Sequence, residues 1–420
     1  MERVGRSPRR DGSTRVGRPR RSVLWIGLIM MGCGGDRVTS EDGPVHLSAS
    51  EVHVFGASDA VGLIRDLDVL PDGSVWALNS GEPFFVGFDS GGEVMGTHGG
   101  SGGGPEEFRM PAAFVTGGVD GEAWVFDFLR HAVIRVSRPG EWAQLPIPRE
   151  AIPPGSLLGG MDIMSPTVRT ARMGNELLLP RTTGSMASGL TSFRLAILGA
   201  DLMALDLESG SVRVVVSLGE VLDDPSQGFV PTDGGFPLWY RLWAVCGEDR
   251  IRVYDRVRNQ LRGFSRDGEE LTPVSLPAAY PTEVSPREFA QVVFPLRQAE
   301  ITGGVGSRLG AEDSARVLNE MIQGIRGQPR ELAAYLPRYV DFRCAEDGAM
   351  WLQPVDLSIG GLDGGAKWMR IMPDGDVREV HFPERFDPMR FMSGRVWGIQ
   401  RDEWDVPSVA WIALPPPLAM

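Results

Sequence analysis

Six side chains with oxygen donors, Asp66, Asp68, Asp127, Asn175, Asp341 and Asp402, form the candidate ligand set of this chain. Carboxylate and amide oxygens are the hard donors a divalent ion such as calcium takes, so these six define a candidate metal or charged-ligand site. Aspartate also bonds back to turn backbones and pairs with arginines, here Arg65 and Arg401, and that structural duty competes for each of them. The five histidines, His46, His53, His98, His131 and His381, are scattered without paired Cys/His or H-E-x-x-H spacing, so no structural zinc site is expected. Gly99-Gly100-Ser101-Gly102-Gly103 matches G-x-S-x-G formally. A nucleophile elbow needs a strand, a strained serine and then a helix, whereas Pro105 follows here, so Ser101 is not expected to attack anything. No Gly-Lys-Ser or Gly-Lys-Thr closes the same glycines, which excludes a phosphate loop. Trp239, Tyr240 and Trp243 are a candidate aromatic surface.

Composition bounds what these groups can serve. The chain has 420 residues, 42% of them apolar, which is enough for a real core. Acids outnumber bases by 55 to 42, and nucleic acid is excluded as a general partner because phosphate contacts need clustered Arg and Lys. Three cysteines make no disulfide framework.

The amino end carries an address. Eight arginines between Arg3 and Arg21 run into the apolar stretch Val23–Met31. Nine apolar residues fall short of the roughly 20 that span a bilayer, and the basic, apolar, small-residue order is that of a signal peptide over residues 1–32. Met30-Met31-Gly32-Cys33 resembles the lipobox of bacterial lipoproteins, with Met where Leu is usual. That resemblance implies acylation of Cys33 and a membrane contact through the lipid, and Gly34 implies sorting to the outer membrane. Arg20-Arg21-Ser22-Val23-Leu24 also resembles the twin-arginine export pattern, though a merely Arg-rich leader is the expectation. Cleavage before Cys33 removes eight arginines, Glu2 and Asp11, taking the formal charge from -13 to -19 over 388 residues. Residues 33–45 read as a tether.

Beyond the tether the chain repeats itself. Asp72-Gly73-Ser74-Val75-Trp76, Asp120-Gly121-Glu122-Ala123-Trp124 and Asp347-Gly348-Ala349-Met350-Trp351 are copies of one turn-then-strand unit. Looser copies begin at Gly174, Gly247 and Gly394, making six. Glycine supplies positive φ in each turn, Asp bonds back to the backbone, and the flanking runs alternate as half-buried strands do. A second turn follows in five copies, at Asp89-Ser90-Gly91-Gly92, Pro139-Gly140, Glu208-Ser209-Gly210, Asp267-Gly268 and Pro373-Asp374-Gly375. Two turns per unit give four antiparallel strands, and such sheets at a period of about 50 residues mark propeller blades. The fold class is therefore all-β, a six-bladed β-propeller over 46–414, with 415–420 as a tail. The sixth unit lacks a fourth strand, and Val52-His53-Val54-Phe55 is predicted to supply it and close the ring.

Gly103-Gly104-Pro105-Glu106-Glu107-Phe108, with Pro111 and Asp120-Gly121-Glu122-Ala123-Trp124-Val125-Phe126-Asp127 downstream, resembles the inter-blade signature of NHL-type six-bladed propellers. Glu106 replaces the second Gly of that pattern and Trp124 its Tyr. Phe382-Pro383-Glu384-Arg385-Phe386 and Gly398–Val406 resemble the last blade of bacterial propeller lipoproteins. The resemblance implies a fold and an envelope location, and no reaction. Two departures from regularity stand out. Arg181–Ser192 reads as a Ser, Thr and Gly-rich loop in blade three, and a helical insertion occupies about 285–337 between blades four and five, opened by the capping box Ser285-Pro286-Arg287-Glu288. Helices are predicted to about Gln298, over Ala311–Ile325 and over Pro329–Leu336.

On this frame the six oxygen donors fall near strand ends that could face a central channel. Trp76, Trp124, Trp351 and Trp397 recur at one repeat position, as packing between blades demands. Cys246 and Cys344 lie near the ends of innermost strands of blades four and five. Export permits a bond between them, and two buried thiols are the expectation. Two functions remain: a lipid-anchored binding or scaffold protein holding a protein, peptide, glycan or small molecule on one face, which is favoured, and a propeller hydrolase or lactonase with a divalent metal at the channel.

Overall fold

The computed structural model describes residues 43–418 except 57–58, 117–121, 128, 139–140, 149–155, 159–169, 187–194, 218–241, 256–257, 278–282, 293, 295–308, 326–328, 336–337, 356–365, 374 and 393. Cys33 and its leader lie outside the described residues.

Chain order begins with two short strands, β1 (Val45–His46) and β2 (Val52–Gly56). Blade one is β3 (Ile64–Val69), β4 (Val75–Asn79), β5 (Phe85–Phe88) and β6 (Val94–His98). A parallel pair, β7 (Gly100–Ser101) and β8 (Glu107–Phe108), leads to blade two: β9 (Pro111–Thr116), β10 (Ala123–Asp127), β11 (Ala132–Arg138) and β12 (Glu141–Pro146). Blade three holds β13 (Ser156–Leu158), β14 (Ala171–Met173), β15 (Glu176–Met186), β16 (Leu195–Asp206) and β17 (Val212–Ser217). Blade four is β18 (Trp243–Cys246), β19 (Arg250–Asp255), β20 (Gln260–Ser265) and β21 (Glu270–Ser275). Helical residues 286–292, then α1 (Ala311–Gly324) and α2 (Pro329–Tyr335), precede blade five: β22 (Tyr339–Cys344), β23 (Met350–Pro354), β24 (Lys367–Ile371) and β25 (Val377–His381). Blade six is β26 (Phe386–Met392), β27 (Arg395–Arg401) and β28 (Pro407–Ala413), completed by β2.

The predicted closure is present. β2 runs antiparallel to β28, with Val52 opposite Ile412 and Val54 opposite Ala410. At the centre the innermost strands β3, β9, β14, β18, β22 and β26 neighbour one another in order, and β26 meets β3 again. Each interface between blades has its own apolar cluster, such as Leu67, Val75 and Val86 of blade one against Trp397, Ile399 and Val409 of blade six. The recurring tryptophans do the duty expected of them. Trp124 packs into the interface with blade three, Trp351 into that with blade six and Trp397 into that with blade one, while Trp76 lies against the cluster shared with blade two.

The turns follow the repeat chemistry. Gly73, Gly348, Gly268 and Gly375 have φ of 86°, 80°, 87° and 95°. Asp72 and Asp347 accept from the backbone N–H two residues on, and Asp72 also accepts from the Ser74 hydroxyl. Gly92, with φ of 87°, is required twice over, because a Cβ there would run into the carbonyl oxygen of Phe55 in the closing strand.

Several expectations need correction. Arg181–Met186 belong to β15 and not to a loop, because the β15–β16 hairpin extends past the blade and β13 pairs with its outer half. Val45, assigned to the tether, is in β1, which adds to blade five parallel to β25, and Leu47 follows it into the interface of blades five and six. Leu418 of the tail is buried in that same cluster. Cys246 and Cys344 are bonded, not free thiols. They are the last residues of adjacent innermost strands, Cα atoms 5.1 Å apart, so neighbouring blades bring them together without displacement of either strand. Of the predicted helical insertion, residues 286–292, α1 and α2 are helical, while the stretch 295–298 of the first predicted helix lies outside the described residues, and Ser285 and Glu288 bond reciprocally as a capping box does.

Reduction of the Cys246–Cys344 bond, which closes a separation of 98 residues, is expected to lower the unfolding free energy by about 4 kcal/mol in denaturant titrations. Deletion of residues 43–56 leaves the β28 edge unpaired, and the expected outcome is loss of the cooperative thermal transition together with aggregation on size exclusion.

Candidate functional site

The charged residues of the innermost strands occupy equivalent places in the repeat. The ladder sets Asp68 opposite Trp76, Arg343 opposite Trp351 and Arg390 opposite Trp397. One step further along, Asp66, Asp341 and Asp387 face Leu78, Gln353 and Ile399. Blades five, six and one thus present two tiers, three aspartates above two arginines and an aspartate. Asp66 with Asp68 and Asp341 with Arg343 keep strict alternation, and the bulge after Pro388 gives Asp387 and Arg390 their three-residue spacing. The residues between them, Leu67, Phe342 and Met389, go into the apolar clusters.

Arg390 is the hub. Its guanidinium meets Asp66 at 3.0 Å and Asp68 at 3.2 Å, joining blade six to blade one. The second oxygen of Asp68 accepts from the Thr116 backbone N–H at 2.6 Å and its hydroxyl at 2.7 Å, which brings in blade two. Burial works against the Arg390 charge, and the two carboxylates outweigh it, holding its pKa above the ordinary value. Burial raises the Asp66 carboxyl, against the pull of Arg390 and Arg343. Arg343 pairs with Asp341 at 3.1 Å within blade five.

Asp387 differs from the rest. Its side chain has solvent access while protein encloses it, as a group lining a narrow lumen does, and among the described residues no donor bonds to it. Desolvation, with Asp341 adding to it and Arg343 and Arg401 opposing, pushes its pKa up to about 6.

Of the six candidate oxygen donors, three lie on innermost strands and pair with arginines there: Asp66, Asp68 and Asp341. The other three lie elsewhere. Asp127 is fully buried at the end of β10, where it accepts from the N–H groups of Arg109, Met110 and Arg130 and fixes the strand-to-blade crossing. Arg130 then donates to the carbonyls of Gly102 and Gly104, so the signature loop is held by a structural clasp. Asn79 of blade one takes the matching place, bonding Gly62, Ala60 and Pro83, and buried Asp255 does so in blade four with Arg258. Asn175 sits in the β14–β15 turn, its carbonyl accepting from Leu207. Asp402 closes the β27–β28 turn by accepting from the N–H groups of Trp404 and Val406. Trp239 and Tyr240 lie outside the described residues, and Trp243 is buried in the interface of blades three and four, not at a channel mouth. Sequence reading missed Arg343, Asp387, Arg390 and Thr116. The signal for the first three was available in their register against the recurring tryptophan.

This donor set does not fit a calcium ion. Hard cations want several free oxygens, and here a guanidinium already stands between the carboxylates that would converge. Among the described residues no three His, Cys, Asp or Glu side chains are placed to hold a metal ion.

No family model matches the chain, and no curated protein matches it. Among solved structures, a member of the DUF4221 family from Bacteroides vulgatus is similar with a TM-score of 0.52 and 9% identity, over 88% of this chain and 98% of that one. Regucalcin, a calcium-binding protein from Agrobacterium tumefaciens, gives 0.44 and 10% over 89% and 95%. Virginiamycin B lyase from Staphylococcus aureus gives 0.37 and 12% over 87% and 86%. The chain is a six-bladed β-propeller.

Replacing Arg390 by Met strands two enclosed carboxylates, and the expected loss is about 3 kcal/mol of unfolding free energy at neutral pH. Asp387 has a folded pKa above its unfolded value, so the folded state binds the extra proton, and this group's contribution is complete below pH 4 and lost as pH rises through about 6. Asp387→Asn is accordingly expected to raise Tm at pH 7.5 and to leave it nearly unchanged at pH 4, measured against wild type by calorimetry.

Proposed function

We propose that this protein is an exported, lipid-anchored binding or scaffold module of the cell envelope, and that one face of its ring holds a protein, peptide, glycan or small molecule. The observation that carries the reading is the asymmetry of the connections. Antiparallel order puts the first-to-second and third-to-fourth strand turns on one face, and there no connection is longer than 117–122. The strand ends of the opposite face are joined by longer stretches of sequence, 99–110, 147–170, 187–194, 218–242, 276–338 with its helical insertion, and 355–366. Loops on a rigid frame are where binding residues accumulate, and a frame elaborated on one face alone has one side to offer. Three of the four lumen carboxylates, Asp66, Asp68 and Asp341, are engaged by arginines, which favours binding over acid–base chemistry at those three.

Export is supported by the leader, by the Cys33 motif and by the Cys246–Cys344 bond, since disulfides persist in oxidising compartments. Among the described residues no helix is long and apolar enough to cross a membrane.

A photo-crosslinking residue at Leu129, on the looped face, is expected to give covalent adducts in the native envelope, and one at Glu248, in a tight turn of the other face, to give none. Equal labelling from both faces, or none from either, sinks the reading. Cys33→Ser is expected to move the protein from the membrane to the soluble fraction.

A further inference from the structure

The β27–β28 turn of blade six lifts an aromatic side chain off the looped face. Trp404 is 79% exposed, more than any other large apolar side chain among the described residues, and Val406 beside it is 51% exposed. A solitary exposed apolar residue is ordinary, but an indole left in water on a rigid support is not. The turn is closed by its own bonds. The Asp402 carboxylate accepts from the N–H groups of Trp404 and Val406, both at 2.8 Å, the Asp402 carbonyl accepts from Asp405 N–H, and the Val406 carbonyl accepts from Asp402 N–H. Arg385 donates to the Asp402 carbonyl at 2.5 Å, tying the turn to the crossing from blade five, and Asp405 holds a φ of 67°. A binding side chain held in place before contact loses less entropy when the contact forms.

The surroundings select the partner. Asp402, Glu403 and Asp405 belong to the turn itself and Glu384 adjoins Arg385, which bonds to that turn, against the two bases Arg385 and Arg401, so the segment is acidic on a body that is itself acidic. Carboxylates around an aromatic face suit a cation that can stack on the ring and pair at its edge. The same blade already does this internally, where the Arg395 guanidinium lies 4.2 Å from the Trp411 ring centre.

We infer that Trp404 and Val406, with Glu384 and Glu403 at their rim, form a docking surface for a cationic peptide segment bearing arginine or lysine. The inference rests on the looped face being the binding face and names the chemistry of its partner. Trp404 is the anchor and the carboxylates supply attraction and orientation.

The test is calorimetric titration of the mature chain with a nine-residue arginine peptide and with a serine-glycine peptide of equal length, at low and moderate salt. The arginine peptide is expected to bind and the neutral one not to. Trp404→Ala is expected to weaken binding about tenfold, as loss of an aromatic anchor does, with Tm unchanged because the side chain supports no packing. Trp404→Phe is expected to recover most of that loss, and Glu384→Gln with Glu403→Gln to reduce the salt dependence. Binding unaffected by Trp404→Ala means the acidic body attracts the peptide elsewhere, and this overturns the inference, as does the absence of binding. Binding of the neutral peptide with equal affinity overturns the cationic assignment. In each case adducts from Leu129 keep the looped-face reading standing, and their absence removes it separately.

Discussion

Arg390 stands between Asp66 and Asp68, and the rest of the ring is arranged so that this can happen. The ion pair joins residues 322 positions apart in sequence, and through Thr116 the same carboxylate reaches a third blade. Enclosed charges are costly unless each has its partner, so pulling blades one, two and six apart at the hub would strand charges that are now paired. The outer seam uses different physics for the same join. There β2 lies along β28 and contributes backbone bonds, and Phe55 packs edge-on against Trp397. A ring closed by charge at the hub and by a strand at the rim covers the β28 edge that the last blade would otherwise leave open.

The two faces divide the remaining work. On one face, short turns with positive-φ glycines and self-bonded aspartates fix the spacing of strands. Because those turns are set by local chemistry, they leave little room for variation. The other face is free of that constraint, since a blade-to-blade crossing needs only to arrive at the next innermost strand. Buried Asn79, Asp127 and Asp255 hold the strand ends beneath those crossings, so that long loops can vary without loosening the blade. The Cys246–Cys344 bond serves the same end at a larger scale. It ties together the two innermost strands that flank the helical insertion, at their turn-side ends.

The repeat was legible because its causes are local. Turn glycines, alternation and a tryptophan at a fixed offset are written within a few residues of one another, and they sufficed for six blades, for the closing strand Val52–Phe55 and for the insertion with its capping box. What was not legible depends on register between distant strands. Asp66 and Asp68 stand out in the sequence as acids, but nothing local says that Arg390 neutralises them. Asp127 reads like its channel-facing counterparts, yet it lies on the second strand of its blade and turns to the loop. Trp243 fell outside the repeating register because it lies on the innermost strand β18 and not on the second strand of its blade, and it was therefore read as a surface residue when it is core. The thiols of Cys246 and Cys344 are 98 residues apart, and only the stacking of adjacent blades makes them neighbours.

The lumen and the looped face also differ in what they leave available. In the lumen, four aspartates and two arginines leave a net negative charge: a new cation at Asp66, Asp68 or Asp341 would have to displace Arg390 or Arg343, while Asp387 has no bonded donor among the described residues. At the rim of blade six, the indole of Trp404 has no partner to displace, since the bonds that hold its turn are made by backbone and by Asp402. Displacement of an enclosed ion pair costs several kcal/mol, whereas covering an exposed ring costs only the water that leaves it. The paired charges at the centre belong to the framework that joins the blades, and the exposed side chain of Trp404 stands on that framework at the edge of the ring.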